Sequence, residues 1–186
     1  MSDSGHERLS SALEWVLIIV AAVGFALLIR TFVAEPFEIP SGSMQDTLEV
    51  GDRILGEKVS YHFRSPQAGD IVTFTDPDDE GTTLIKRVIA TEGQTVDLED
   101  GVVYVDGQAL SESYTEGKRS DPISSHAKGL DQDVTYPYVV PEGSIWVMGD
   151  NRTNSLDSRY FGAIPVSNVT TRALATFWPL SDWKVL

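Results

Sequence analysis

The chain has 186 residues, 41% of them hydrophobic, and 28 acidic against 14 basic side chains leave a net charge of −14. That charge excludes a nucleic-acid binder working through phosphate attraction, and the absence of cysteine excludes disulfide frameworks, thiolate nucleophiles and Cys-ligated metal sites. One compact domain with a short appendage fits the length, and the apolar content suffices for its core.

Trp15 to Ile29 reads WVLIIVAAVGFALLI, without a charge or a strong breaker. With its flanks it predicts one membrane-spanning helix over 13–33, close to the ~20 residues a span needs, preceded by an N-terminal segment at 1–12. Arg30 lies near one end, where its stem snorkels to the headgroups. A cleaved signal peptide fits less well, because a cut after Ala34 puts Phe32 at −3, where a small side chain is wanted. Counting basic residues does not orient the span: only Arg8 precedes it, and after Arg30 none follows until Arg53.

Beyond it the texture turns to short β-branched or aromatic runs. Arg53–Leu55, Asp70–Phe74, Leu84–Ala90, Gly101–Val105 and Ser144–Met148 are separated by turn formers such as Gly51-Asp52 and Asp76–Gly81. Asp106-Gly107, set between Val103-Tyr104-Val105 and Gln108-Ala109-Leu110, is a hairpin signal. No stretch past residue 34 sustains three turns of helical periodicity. Residues 34–186 are therefore expected to form a mainly β sandwich or barrel-like domain, with a long, mobile polar excursion at 111–136 that offers surface contacts only.

Metal chemistry has little support. His6, His62 and His126 fall in separate polar contexts, with no pair at ligand spacing. The Asp76, Asp78, Asp79, Glu80 cluster lacks a calcium-loop pattern and reads as a solvated turn. No histidine has an apolar strand to hold it in a Ser-His-Asp triad.

Three segments carry other chemistry. In Glu35–Met44 (EPFEIPSGSM), Phe37 and Ile39 alternate as in a strand, Pro40 keeps Ile39 extended, and Gly42 permits a tight turn presenting Ser43. The segment reads either as a Pro/Gly/Ser linker or as a presented nucleophile whose own amide and the Ser41 hydroxyl are oxyanion donors. On a strand, Leu84, Lys86 and Val88 share one face, so Lys86 is the one lysine of five with apolar neighbours on both sides. It is either an edge-strand lysine turned outward or a buried amine whose pKa falls from ~10.4 towards neutrality, able to take a proton from a serine. The third segment, Gly149–Gly162 (GDNRTNSLDSRYFG), is dense in groups that bond backbone and pair Asp with Arg.

Together and in this order the three segments resemble those of bacterial type I signal peptidases, membrane-anchored serine proteases with a Ser–Lys dyad. The likeness spans most of residues 30–180. It implies Ser43 as nucleophile, Lys86 as general base, Ser41 as side-chain oxyanion donor and Ser155 as the serine orienting the lysine. Arg87 with Asp150, and Asp157 with Arg159, resemble the family's salt-bridged loop supports. Phe37, Ile39, Met44, Leu48, Ile54 and Ile85 match the lining of its shallow pockets for small P1 and P3 residues. Two departures stand out: Asp46 replaces a proline after the nucleophile, and Ala90–Gln94 replaces Gly-x-Pro-Gly-Asp after the lysine strand.

The resemblance implies removal of N-terminal signal peptides from exported preproteins after Ala-x-Ala-like sites, through an acyl-enzyme and without metal or cofactor. It also implies a cell-membrane location with a cytoplasmic N-terminus and an extracytoplasmic catalytic domain. Signal peptides, membrane lipid and the secretion translocon are the expected partners, with no nucleic acid. Phe177, Trp178 and Trp183 either meet headgroups or close the β core. Two other functions stay open: a self-cleaving Ser–Lys protease, and an anchored β-domain that binds peptides without cutting them.

Overall fold

The computed structural model describes residues 4–186, with side chains from Ser11 onward. The expected N-terminal segment 1–12 therefore lies partly outside the described residues. Helix α1 (Ser4–Phe32) carries the apolar run, and its Ser11–Phe32 portion is buried against no other part of the chain. Among the described residues it is the one helix long and apolar enough to cross a membrane. The Val33 amide still donates to Ile29 O at 2.8 Å, after which the chain turns directly into a strand.

Twelve strands follow: β1 (Ala34–Glu38), β2 (Arg53–Glu57), β3 (Ile71–Asp76), β4 (Asp79–Thr91), β5 (Thr95–Glu99), β6 (Val102–Val105), β7 (Gln108–Ala109), β8 (Tyr138–Val139), β9 (Ser144–Met148), β10 (Ile164–Pro165), β11 (Val169–Trp178) and β12 (Lys184–Val185). A one-turn helix, α2 (Ser158–Phe161), is the only other α-helix described. The larger sheet runs β1-β2-β11-β3-β4-β9-β10 with β12 added on β11, and the smaller runs β7-β6-β5-β8. Every pairing is antiparallel. The domain is mainly β, as the runs and turns predict. The Asp106-Gly107 hairpin is formed, with φ of 52° and 76° at the two turn residues and Val105 opposite Gln108.

Register explains the core. In β4, Leu84 and Val88 lie on one face with Val72, Phe74, Val147 and Phe161, while Ile85 on the other joins Ile39, Met44, Leu48 and Ile54. A third cluster around the fully buried Trp146 joins the two sheets through Ile89, Val96, Val103 and Val140. Two of the open strand edges carry expected site residues. β1 pairs with β2 alone, and β4 pairs with β9 only from Arg87 onward, leaving one side of Asp79–Lys86 without a strand.

Two expectations need correction. The 111–136 excursion is not a mobile fringe. Thr115, Ser120 and Ala127 are buried, the Ser120 amide donates to Gly101 O at 2.8 Å, and the Ala127 amide donates to Tyr160 O at 3.1 Å. Its polar composition reads as solvated loop because its partners, backbone groups and a buried arginine, are distant in sequence. Core closure by the C-terminal aromatics also fails: Phe177, Trp178 and Trp183 are all exposed. The acidic turn behaves as read, with Asp76 and Asp79 accepting from the amides of Asp78 and Gly81.

Candidate active site

The nucleophile segment is shaped by anchoring on both sides. Ile39 is clamped by two backbone bonds, its amide donating to Asp52 O and its carbonyl accepting from Gly51. Pro40 then ends the strand, and Gly42–Met44 forms a 3₁₀ turn. Met44 and Leu48 are fully buried and the Leu48 amide donates to Met44 O at 2.8 Å, so the turn is held by its apolar side while Ser43 faces Lys86.

Lys86 comes from the middle of β4. Its Nζ donates to Ser43 Oγ at 2.7 Å and to Ile85 O at 2.9 Å, and the residue is 3% exposed against 8% for Ser43. Burial brings its pKa down from 10.5 to about 8, outweighing the carboxylates of Asp157, Asp76 and Asp150, which act in the opposite sense. At pH 7 roughly a tenth of the molecules then hold a neutral amine, against about one in several thousand for a free lysine. The outward-turned reading of Lys86 is excluded, and Glu35–Met44 is no plain linker.

The polar loop after β9 braces both partners. Arg87 meets Asp150 in a two-point pair, Nε to Oδ1 at 2.9 Å and NH2 to Oδ2 at 2.7 Å, and Thr47 Oγ1 donates to the same carboxylate. Asp157 pairs with Arg159 in the same way, accepts from the Gly149 amide at 3.0 Å and caps α2 by accepting from the Arg159 amide. Both acid–arginine pairs are thus formed, with Asp150 and Asp157 buried. The six expected pocket residues fall into one apolar cluster, with Ile39, Met44, Leu48, Ile54 and Ile85 buried and Phe37 packed against them. They pack on one another as core, and the surface cleft lined by Ser65–Ala68 and Gly143–Ile145 involves neither Ser43 nor Lys86. Ser41 is exposed and makes no side-chain cap. Ser155 Oγ is buried and, among the described residues, has no hydrogen-bond partner, so a bond to Lys86 is not formed here.

Several contributors escape sequence reasoning. The Asn151 amide donates to Ser43 O at 3.0 Å and its Nδ2 to Gly42 O at 2.9 Å, tying the loop to the nucleophile turn. Gly149 lies so close to Ser43 O and Ser155 that an added Cβ finds no room. Both residues stand inside the polar loop motif, but only three-dimensional proximity distinguishes them from their neighbours. Asp46, in place of the proline, forms a 2.6 Å ion pair with Lys118 of the excursion.

Known proteins resemble this chain over most of its length. Residues 12–178 match the family described as signal peptidase, peptidase S26. The chain is 45% identical over 180 residues to a probable signal peptidase I-1 of Synechocystis sp., covering 93% of this chain and 86% of that one. It is 41% identical over 179 residues to signal peptidase I of Leptolyngbya laminosa, covering 92% and 82%. A crystal structure of a signal peptidase I from Enterococcus faecalis is 34% identical, with a TM-score of 0.47 over 59% of this chain and 97% of that one. This chain belongs to the signal peptidase family, peptidase S26.

Proposed function

We propose that this signal-peptide-removing serine endopeptidase works through Ser43 as nucleophile and Lys86 as general base. The observation that carries the assignment is the 2.7 Å separation of Ser43 Oγ and Lys86 Nζ with the amine out of water. In the neutral form Lys86 accepts the Ser43 proton as Oγ attacks the P1 carbonyl. The oxyanion is met by the Ser43 amide and the Ser41 hydroxyl, which is exposed and so free to turn towards substrate. Collapse of the tetrahedral intermediate breaks the peptide bond, and the ammonium of Lys86 returns the proton to the leaving amine. Lys86 then deprotonates a water that attacks the acyl-enzyme and releases the signal peptide. Ser155, buried beside this site with an unused hydroxyl, holds the amine in line during turnover.

The substrate lies extended between the open edges of β1 and of β4 before Arg87, adding main-chain hydrogen bonds as a strand. Ala-x-Ala-like P1 and P3 side chains pack against the apolar cluster of Phe37, Ile39, Met44, Leu48, Ile54 and Ile85. Residues 13–33 anchor the enzyme as a single pass with 1–12 cytoplasmic and 34–186 outside the cell membrane, beside the secretion translocon that delivers preproteins. Anchoring confines enzyme and substrate to one surface, and the exposed Phe177, Trp178 and Trp183 suit contact with lipid headgroups. A peptide-binding domain without catalysis has no use for a desolvated lysine.

The test is cleavage of an Ala-x-Ala preprotein by the full chain in detergent micelles. Ser43→Ala and Lys86→Ala are each expected to abolish turnover, and either variant cutting at the unmodified rate refutes the assignment.

A further inference from the structure

The polar excursion does more than cover the surface. Arg152, in the loop after β9, has a side chain with no exposure to solvent, although arginine carries a charge at any working pH. Its Nε donates to Gly149 O at 3.0 Å, and its terminal nitrogens donate to both oxygens of Glu112 at 2.8 and 2.5 Å and to Ser120 Oγ at 2.5 Å. Glu112 and Ser120 both belong to the excursion. Between them stands Tyr114, whose hydroxyl donates to Glu112 Oε1 at 2.8 Å and whose ring lies 4.1 Å from the Arg87 guanidinium carbon and 5.9 Å from that of Arg152. One short segment thus neutralises one buried cation and supplies an aromatic face to two.

Those cations are the outer ends of the contacts that frame the dyad. Arg87 follows Lys86 in β4 and holds Asp150. Arg152 fixes the Gly149 carbonyl, and between Gly149 and Arg152 the Asn151 amide reaches Ser43 O. We infer that Glu112 is a positioning residue for the Ser43–Lys86 pair, acting through Arg152 on the Gly149–Asn151 backbone, with Tyr114 as the second half of the same brace. An exposed ion pair would contribute little. In this one the guanidinium has no exposure and the carboxylate keeps only 10% of its own, so little solvent reaches Arg152 if the carboxylate is lost, and the side chain must shift to find another partner. Any such shift moves the backbone that holds the nucleophile.

The inference rests on the dyad assignment above and is tested separately from it. The full chain in detergent micelles is assayed for kcat and KM on an Ala-x-Ala preprotein, with amide hydrogen exchange followed at Asn151. Glu112→Gln is expected to lower kcat roughly 10- to 100-fold with little change in KM, since reacting atoms are misplaced while the substrate edges are untouched. Asn151 exchanges faster, and Glu112→Asp recovers most of kcat. In an Arg152→Met background, Glu112→Gln brings no further loss, because the path between the two is already cut. If Glu112→Gln does not fold, Tyr114→Leu, which leaves the ion pair intact, must still lower kcat and speed Asn151 exchange. Unchanged kcat and exchange, a lowered melting temperature with unchanged kcat, or a loss undiminished in the Arg152→Met background overturns the inference. Failure of the dyad reads out elsewhere, as turnover by Ser43→Ala.

Discussion

Gly149→Ala removes nothing from the enzyme and adds one methyl group, yet it is expected to disable catalysis. A Cβ at position 149 falls 2.5 Å from Ser43 O and 2.6 Å from Ser155 Cβ, and closer still to Ser155 Oγ. Ordinary carbon contacts lie near 3.5–4.0 Å, so about 1 Å must be found. Ser43 O is backbone, already fixed by the Asn151 amide at 3.0 Å, and Ser155 is buried. Relief therefore comes by displacing the nucleophile turn or the loop. Overpacking of this kind costs about 1–3 kcal/mol of stability, and an ångström at the reacting atoms costs about 10²-fold in rate. Gly42→Ala is the internal control. The three atoms nearest its Cβ all belong to the Gln45 side chain, the closest being Oε1 at 2.7 Å, the far end of a flexible group, and its backbone is not left-handed. Steady-state cleavage with melting curves for both variants decides the matter. Gly149→Ala is expected to lose about 10²-fold in kcat while Gly42→Ala stays within severalfold. Equal activity of the two, or a larger loss in Gly42→Ala, refutes the packing argument.

Further outcomes follow from the buried charges. Lys86→Met keeps the volume and removes a desolvated amine. A pKa held at about 8 against 10.5 unfolded means that the folded state opposes protonation, so wild-type stability gains with pH between those values and is penalised below them. Lys86→Met is expected to be inactive yet more stable at pH 7 by about 3 kcal/mol, an advantage that fades towards pH 10.5 and is read from chemical denaturation at several pH values. Arg87→Met leaves the Asp150 carboxylate, itself without solvent exposure, short of its counter-charge. A destabilisation of roughly 3–5 kcal/mol is expected, and a melting temperature within error of wild type would contradict it.

What the sequence reveals and conceals has a physical pattern. Alternation and turn chemistry make β2, β3, β4, β6 and β9 legible, and Lys86 draws notice because its nearest neighbours on that face of β4, Leu84 and Val88, are apolar. β11, with ten residues the second longest strand, has no comparable signal: Val169–Trp178 mixes Thr, Arg and Ala. It is central because β2 and β3 flank it on either side, a pairing made across more than ninety residues of chain. Residue types and spacing leave Ser43 and Lys86 each with two readings, and it is the order of the three segments, through the family resemblance, that joins them as a dyad and pairs Arg87 with Asp150. Gly42 draws attention in the sequence, whereas the crowded glycine is Gly149, since crowding depends on which backbone passes nearby. Glu112 and Tyr114 are illegible for the same reason, their charged partners lying in segments far along the chain.

Catalysis by the Ser43–Lys86 pair depends on the Lys86 amine being kept from water so that it is free to accept a proton. Titrating that side chain directly, by ¹³C NMR of its ε-methylene in the full chain with a Lys86→Met sample to assign the resonance, tests this most closely. The expected midpoint is about 8, coinciding with the acid limb of kcat/KM, whose activity rises as the amine loses its proton. A midpoint near the 10.5 of an ordinary lysine would contradict it.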